Sequence, residues 1–135
     1  MDDRFRILVA DRNRHVREFL QRELAADGYR VQVAKDGDEV LNIVDGKDPP
    51  DLLILDLEIP SGGALDILDR IHRRTPLLPV VIHSFLTENS GMLGDRNTDA
   101  FVEKSENIDR LKAAVADMLK KFYPKRPARL STSLT

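Results

Sequence analysis

The sequence predicts an α/β fold, a doubly wound parallel sheet of five strands with helices on both faces. Two observations predict it. Short apolar runs, too continuous to be half-exposed strands, recur along the chain and are separated by segments with a helical period. The order of the two is β-α-β-α-β-α-β, then a weakly patterned stretch, then β-α, which is the alternation of a parallel sheet with right-handed crossovers. At 135 residues the chain fits one domain, and with no cysteine it has no disulfide scaffold, zinc-thiolate site or cysteine nucleophile.

The elements read in order. Ile7-Leu8-Val9-Ala10 is a buried strand. Asn13 can cap a helix carrying Val16, Phe19, Leu20 and Leu24 on one stripe, and Gly28 stands where a C-terminal cap belongs. Tyr29, Val31 and Val33 alternate with polar residues as a second strand. Asp36-Gly37 reads as a turn before a short helix with Val40, Leu41 and Val44, and residues 45–50 read as a loop. Leu52 to Leu55 is the central strand, broken by Ile59-Pro60-Ser61-Gly62-Gly63. Leu65, Ile67, Leu68 and Ile71 mark a third helix, and Val80-Val81-Ile82 a fourth strand. Residues 85–99 show no clear period, so the fourth helix is expected to be short or irregular. Phe101-Val102 is a fifth strand, and Ile108, Leu111, Val115, Leu119 and Phe122 form the stripe of a last helix that Pro124 ends.

These readings place a domain over 1–123 and a disordered basic tail over 124–135. The net charge of −2 hides the asymmetry: Lys120, Lys121, Lys125, Arg126 and Arg129 give residues 120–135 a charge of +5 with no acid. A basic end can meet nucleic acid, but its ordinary role is a solubilising frayed terminus. The longest aliphatic run is far shorter than the roughly 20 residues a membrane span needs. The start, Met1-Asp2-Asp3-Arg4, lacks the basic-then-apolar pattern of a signal peptide, so a cytoplasmic protein with no membrane partner is expected.

In a doubly wound sheet, function sits at the carboxyl ends of the strands. Asp11, Asp56, Ser84 and Lys104 follow four of the five strands at that rim. Each alone reads as a cap, a turn residue or a surface lysine. Together they bring a carboxylate pair, a hydroxyl and an ammonium to one edge.

Over roughly residues 4–122 the sequence resembles the receiver domain of bacterial two-component response regulators, a flavodoxin-like fold. The resemblance is carried by Ile7-Leu8-Val9-Ala10-Asp11, by Leu53-Ile54-Leu55-Asp56-Leu57-Glu58-Ile59-Pro60, by Val81-Ile82-His83-Ser84 and by Ala100-Phe101-Val102-Glu103-Lys104. It implies that Asp56 accepts a phosphoryl group from a histidine kinase or phosphotransfer protein, as a carboxylate nucleophile forming an acyl phosphate. It implies that Lys104 pairs with the phosphoryl oxygens, that Ser84 donates a hydrogen bond to one of them, and that Phe101 is an aromatic switch residue. It also implies Mg²⁺ held by Asp11, Asp56 and the backbone carbonyl of Glu58, since that ion prefers oxygen ligands. Such a protein is not a turnover enzyme beyond slow self-dephosphorylation, and its output here would be contact with a downstream protein that the sequence does not name.

The chain departs from the family pattern at three places. Arg17-Glu18 also matches the family, whose first-helix arginine lies five residues beyond its second acid; counting back from Arg17 puts that acid at position 12, which is Arg12. The pocket then balances Asp11 and Asp56 against Arg12 and Lys104 without metal. Mg²⁺ is expected to bind weakly or to be dispensable. Arg12 can stand in for the ion, pair with Asp56 or Glu58, or swing into solvent. Ser105 stands where the family has proline, and it or Asn107 can cap the last helix. The 85–99 stretch is shorter than the family usually has. His83 points away from the rim by alternation and reads as structural, and His15 and His72 read as surface residues.

Other functions are weaker. A phosphorylation-independent, receiver-like interaction module with an impaired metal site is the alternative that Arg12 and the 85–99 stretch favour. Asp56-Leu57-Glu58 faintly resembles the Asp-x-Asp of haloacid dehalogenase-type phosphatases, but the chain is short for that fold with a cap. Direct nucleic-acid binding through the tail is the weakest.

Overall fold

The apolar runs become strands, and the strands become one sheet. The computed structural model of the chain describes residues 3–75, 77–85, 100–105 and 107–126. Its strands are β1 (Arg6–Ala10), β2 (Arg30–Ala34), β3 (Leu52–Leu55), β4 (Val80–Ser84) and β5 (Ala100–Glu103). Its helices are α1 (Arg14–Ala26), α2 (Gly37–Val44), α3 (Gly63–Arg74) and α4 (Asp109–Phe122). All pairings are parallel and the order is β2-β1-β3-β4-β5. The fourth helix expected within 85–99 falls on residues 86–99, outside the described residues.

Period-two alternation splits the core between the two faces. Leu8, Ala10, Leu53, Leu55, Val80 and Ile82 pack under α2 and α3, against Val40, Val44, Ile67, Leu68 and Ile71. Ile7, Val9, Leu52, Ile54, Val81 and Val102 pack on the other face under α1 and α4, against Leu20, Leu24, Leu111, Val115 and Leu119. Covering both faces is what makes β1, β3 and β4 continuous apolar runs.

Local chemistry fixes the helix starts near the rim. Asn13 caps α1, its side chain accepting from the N–H groups of His15 and Val16. Asp36-Gly37, read from sequence as a turn, is instead the start of α2. The Asp36 carboxylate accepts from Glu39 N–H at 2.9 Å, and Glu39 reaches back to accept from Lys35 N–H at 2.8 Å, a reciprocal cap. Gly37 is required by close approach, since its N–H donates to Pro60 O at 2.8 Å and a Cβ there would lie 2.3 Å from Ser61 O. This contact braces the loop after β3 against α2.

The domain boundary expected after residue 123 falls inside a described turn that runs to Arg126. Arg126 lies 4.2 Å from the centre of the Phe5 ring and pairs with Asp51 at 3.0 Å, while the Tyr123 hydroxyl donates to Asp51 O at 2.7 Å. The first part of the expected tail is therefore fastened to the amino ends of β1 and β3, because its arginine finds both an aromatic face and a carboxylate there. Residues 127–135 lie outside the described residues.

Candidate functional site

Main-chain register builds the rim. Asp11 N–H donates to Ala34 O at 3.1 Å, Asp56 N–H to Ala10 O at 2.9 Å and Lys104 N–H to Ser84 O at 2.9 Å. Each residue that leaves a strand is thus tied to the end of the neighbouring strand. Asp11 and Asp56 flank the β1–β3 boundary, where the strand order reverses and a crevice opens.

The structure brings Asp11, Asp56 and Lys104 together as the sequence placed them, and Ser84 ends β4 beside them. Asp11, Asp56 and Ser84 are almost fully buried. The Lys104 Nζ lies 2.8 Å from Asp11 Oδ2 and 3.8 Å from Asp56 Oδ1. Arg12 does not swing free. Its guanidinium bonds Glu58 Oε2 at 2.6 Å, and its Nε stands 3.8 Å from Asp56 Oδ2. The Asp56 carboxylate therefore has a cation 3.8 Å from each oxygen, and each cation bonds more closely to a different carboxylate.

Backbone donors complete the shell. Asp56 Oδ1 accepts from Glu58 N–H at 3.1 Å and Oδ2 from Arg12 N–H at 3.3 Å. Asp11 Oδ1 accepts from Asn13 N–H at 2.8 Å. Burial nevertheless lifts the Asp11 carboxyl above its ordinary value, outweighing its hydrogen bonds to Lys104 and Asn13.

This arrangement does not fit a divalent cation. Two carboxylates converge rather than three, and all four of their oxygens already face an N–H, an ammonium or a guanidinium. Among the described residues no group of three or more His, Asp or Glu is placed to hold a metal ion. Two formal positive charges already balance the two buried carboxylates.

Phe101 lies on β5 beside Ile82 and is 37% exposed, with its neighbour Val102 turned into the core. His83 is buried under α1 and α4, and its Nδ1 has no hydrogen-bond partner among the described residues. Burial, and then repulsion from Lys104, hold its imidazole down at about 4, so it is neutral at physiological pH. With Phe85 and Lys104 it lines an open apolar pocket of about 310 Å³, shared with Val16, Phe19 and Ile108. Lys104 Nζ stands 5.5 Å from the centre of the Phe85 ring.

Two supporting roles were not assigned from the sequence. Arg17 donates to Asp11 O at 2.8 Å and so holds the turn that carries Asp11 and Arg12. Its position one turn into α1, facing back to the strand end, is the signal that could have found it. Phe85, the residue directly after β4, sets its ring 5.5 Å from Lys104 Nζ. Neither of the two residues expected to cap the last helix holds the cap position, which falls to Ile108 with no side-chain bond; just ahead of it Asn107 accepts from Asp109 N–H at 2.8 Å, while the Ser105 hydroxyl donates to Asn107 O.

The sequence profile of the response regulator receiver domain matches residues 7–116. The response regulator MprA of Mycolicibacterium vanbaalenii is 30% identical over 132 residues, which cover 96% of this chain and 57% of that protein. MprA of Mycobacterium leprae is 31% identical over 121 residues, covering 88% of this chain and 53% of that protein. The chain thus spans a little over half the length of these curated relatives. Among solved structures, the response regulator TrrA of Thermotoga maritima, in complex with Mg²⁺-BeF, is 32% identical with a TM-score of 0.77, covering 85% of this chain and 99% of that one. A CheY-like receiver domain protein of Methanospirillum hungatei, 21% identical with a TM-score of 0.82, covers 90% of this chain and 98% of that one and shares the fold. No helix among the described residues is long and apolar enough to cross a membrane.

Proposed function

The chain belongs to the receiver-domain family of response regulators, and from that premise we propose that it accepts one phosphoryl group on Asp56 in two-component signalling. The donor is a phosphohistidine of a histidine kinase or phosphotransfer protein, and the output is contact with a further protein in the cytosol. The observation that carries this reading is the Asp56 carboxylate itself: almost fully buried, fixed by two backbone N–H donors, with one cation 3.8 Å from each oxygen. Phosphoryl transfer asks for little covalent help and much fixed positive charge around the transferred oxygens.

In this reading Asp56 attacks phosphorus as the nucleophile. Lys104 leaves Asp11 to neutralise the phosphoryl oxygens, and Ser84, at the end of β4, senses them. Phe101 on β5 relays the change to the surface. Magnesium is dispensable for the transfer. The protein takes the group once and sheds it slowly rather than turning over a substrate.

A second reading rests on the two short ion pairs. Lys104 with Asp11 and Arg12 with Glu58 close the pocket on themselves, which suits a receiver-like module that binds its partner without phosphorylation.

Intact mass after incubation with acetyl phosphate separates the two. One added phosphoryl group, absent from Asp56→Asn, is the result expected. No adduct under any condition favours the unphosphorylated module.

A further inference from the structure

We propose that Arg12 is the built-in cation of this site: its guanidinium leaves Glu58 to bind the incoming phosphoryl group, so that Asp56 is phosphorylated without a divalent metal ion. The inference rests on the reading of Asp56 as a phosphoryl acceptor and names what replaces the metal.

Position comes first. The Arg12 backbone is tethered, since its N–H is bonded to Asp56 Oδ2 at 3.3 Å and it sits between Asp11 and the Asn13 cap of α1. Only its side chain can move, and that side chain is 47% exposed, so it lies at the mouth of the pocket while Asp56 lies on the floor. Lys104, 8% exposed, is on the inner side. A donor phosphate reaching Asp56 from solvent therefore passes Arg12 first and meets Lys104 last.

Chemistry comes second. Guanidinium presents five donors in a planar fork that matches phosphate oxygens two at a time. The 2.6 Å bond to Glu58 occupies one of its terminal nitrogens. Glu58 is itself part exposed, and an ion pair between two solvent-exposed side chains is weak. A phosphoryl dianion, more highly charged than a carboxylate, competes with it well. Glu58 then acts as a latch that parks the guanidinium beside Asp56, with Nε already 3.8 Å from the nucleophile.

The step balances without a co-reactant beyond an acyl phosphate. An Asp56 carboxylate oxygen forms a bond to phosphorus, the bond from phosphorus to the acetyl oxygen of acetyl phosphate breaks, and acetate leaves with the electron pair. No proton is moved. Lys104 and Arg12 together then face the two charges of the new acyl phosphate.

The test measures phosphorylation by acetyl phosphate, followed by intact mass, in excess EDTA and in excess Mg²⁺. Mg²⁺ binding is measured in parallel by calorimetry. The parent is expected to form the adduct at matching rates in both conditions and to show no Mg²⁺ heat. Arg12→Ala in EDTA is expected to slow by about a hundredfold, the usual cost of removing a donor aimed at developing charge. Arg12→Lys restores part of that rate, and Glu58→Gln, which removes the latch, speeds the parent reaction. Arg12→Asp is expected to gain Mg²⁺ binding and to be phosphorylated only with the metal.

A parent that reacts only with Mg²⁺, or an Arg12→Ala variant as fast as the parent in EDTA, overturns the inference and leaves Asp56 as the acceptor. A parent that is silent in both conditions overturns the inference too, and if Arg12→Asp with Mg²⁺ is equally silent the acceptor reading falls with it.

Discussion

The ammonium of Lys104 is bonded to Asp11 at 2.8 Å, a full ångström closer than to Asp56. Both partners are almost out of water, so the pair is one that is costly to break from one side. Lys104→Met leaves Asp11 buried without its cation and beside Asp56, which keeps only Arg12. It is expected to lower stability by about 3 kcal/mol at neutral pH, measured by urea unfolding. The deficit shrinks as the pH falls, because Asp11, already raised by burial, then takes up a proton in the folded state. Pairing the change with Asp11→Asn recovers most of the loss.

His83 gives the fold an acid limit. Its folded value of about 4 lies below the ordinary 6.5, so the unfolded chain binds a proton that the folded chain refuses. Its stabilising effect is complete above 6.5 and is lost as the pH falls to about 4, on the order of 3 kcal/mol in all. Asp11 works in the opposite direction at the lower end of this window. The measurement is therefore the difference between the parent and His83→Leu in urea at stepped pH, which is expected to favour the variant progressively below 6.5.

Gly37→Ala tests the brace behind the acceptor loop. Its new methyl group would stand 2.3 Å from Ser61 O and 2.7 Å from Ile67 Cδ1, so the loop after β3 or α3 must give way. Overpacking of this kind costs about 1–3 kcal/mol. The amide resonances of residues 57–62 are expected to shift along with the unfolding midpoint. An unchanged spectrum would mean that the loop is held by other contacts.

The fastening of the chain end is separable from the site. Tyr123→Phe removes the hydroxyl that donates to Asp51 O and is expected to cost about 1 kcal/mol. Burial, and then the Asp51 charge, push this phenol up to about 12, so ultraviolet titration of the parent shows a tyrosine ionising there that the variant lacks. Arg126→Ala is expected to destabilise as well, with no change in phosphorylation, since Asp51 lies at the opposite ends of the strands from Asp56.

What was legible in the sequence follows from what the chain controls locally. Ile7–Ala10, Leu52–Leu55 and Val80–Ile82 are buried on both faces, so their composition alone marks them as strands, and parallel strands must end together. That is why Asp11, Asp56, Ser84 and Lys104 could be assigned to one rim without coordinates. The edge strand was read too short: β5 runs from Ala100 to Glu103, because its pairing with Val81–Ser84 is main-chain and does not need apolar side chains at the ends. The choice of Asp11 over Asp56 by Lys104, and of Glu58 by Arg12, depends on side-chain rotamers and on small differences in distance that no spacing rule encodes. Arg126 looked like tail because its partners, Phe5 and Asp51, are far away in the sequence.

The acceptor itself is tested most directly by reductive trapping. An aspartyl phosphate is an acyl phosphate, and borohydride converts it to homoserine, which peptide mass mapping locates to one residue. After treatment with acetyl phosphate, homoserine is predicted at position 56 and nowhere else. Homoserine at another aspartate, or an adduct that borohydride leaves intact, would contradict the assignment of Asp56.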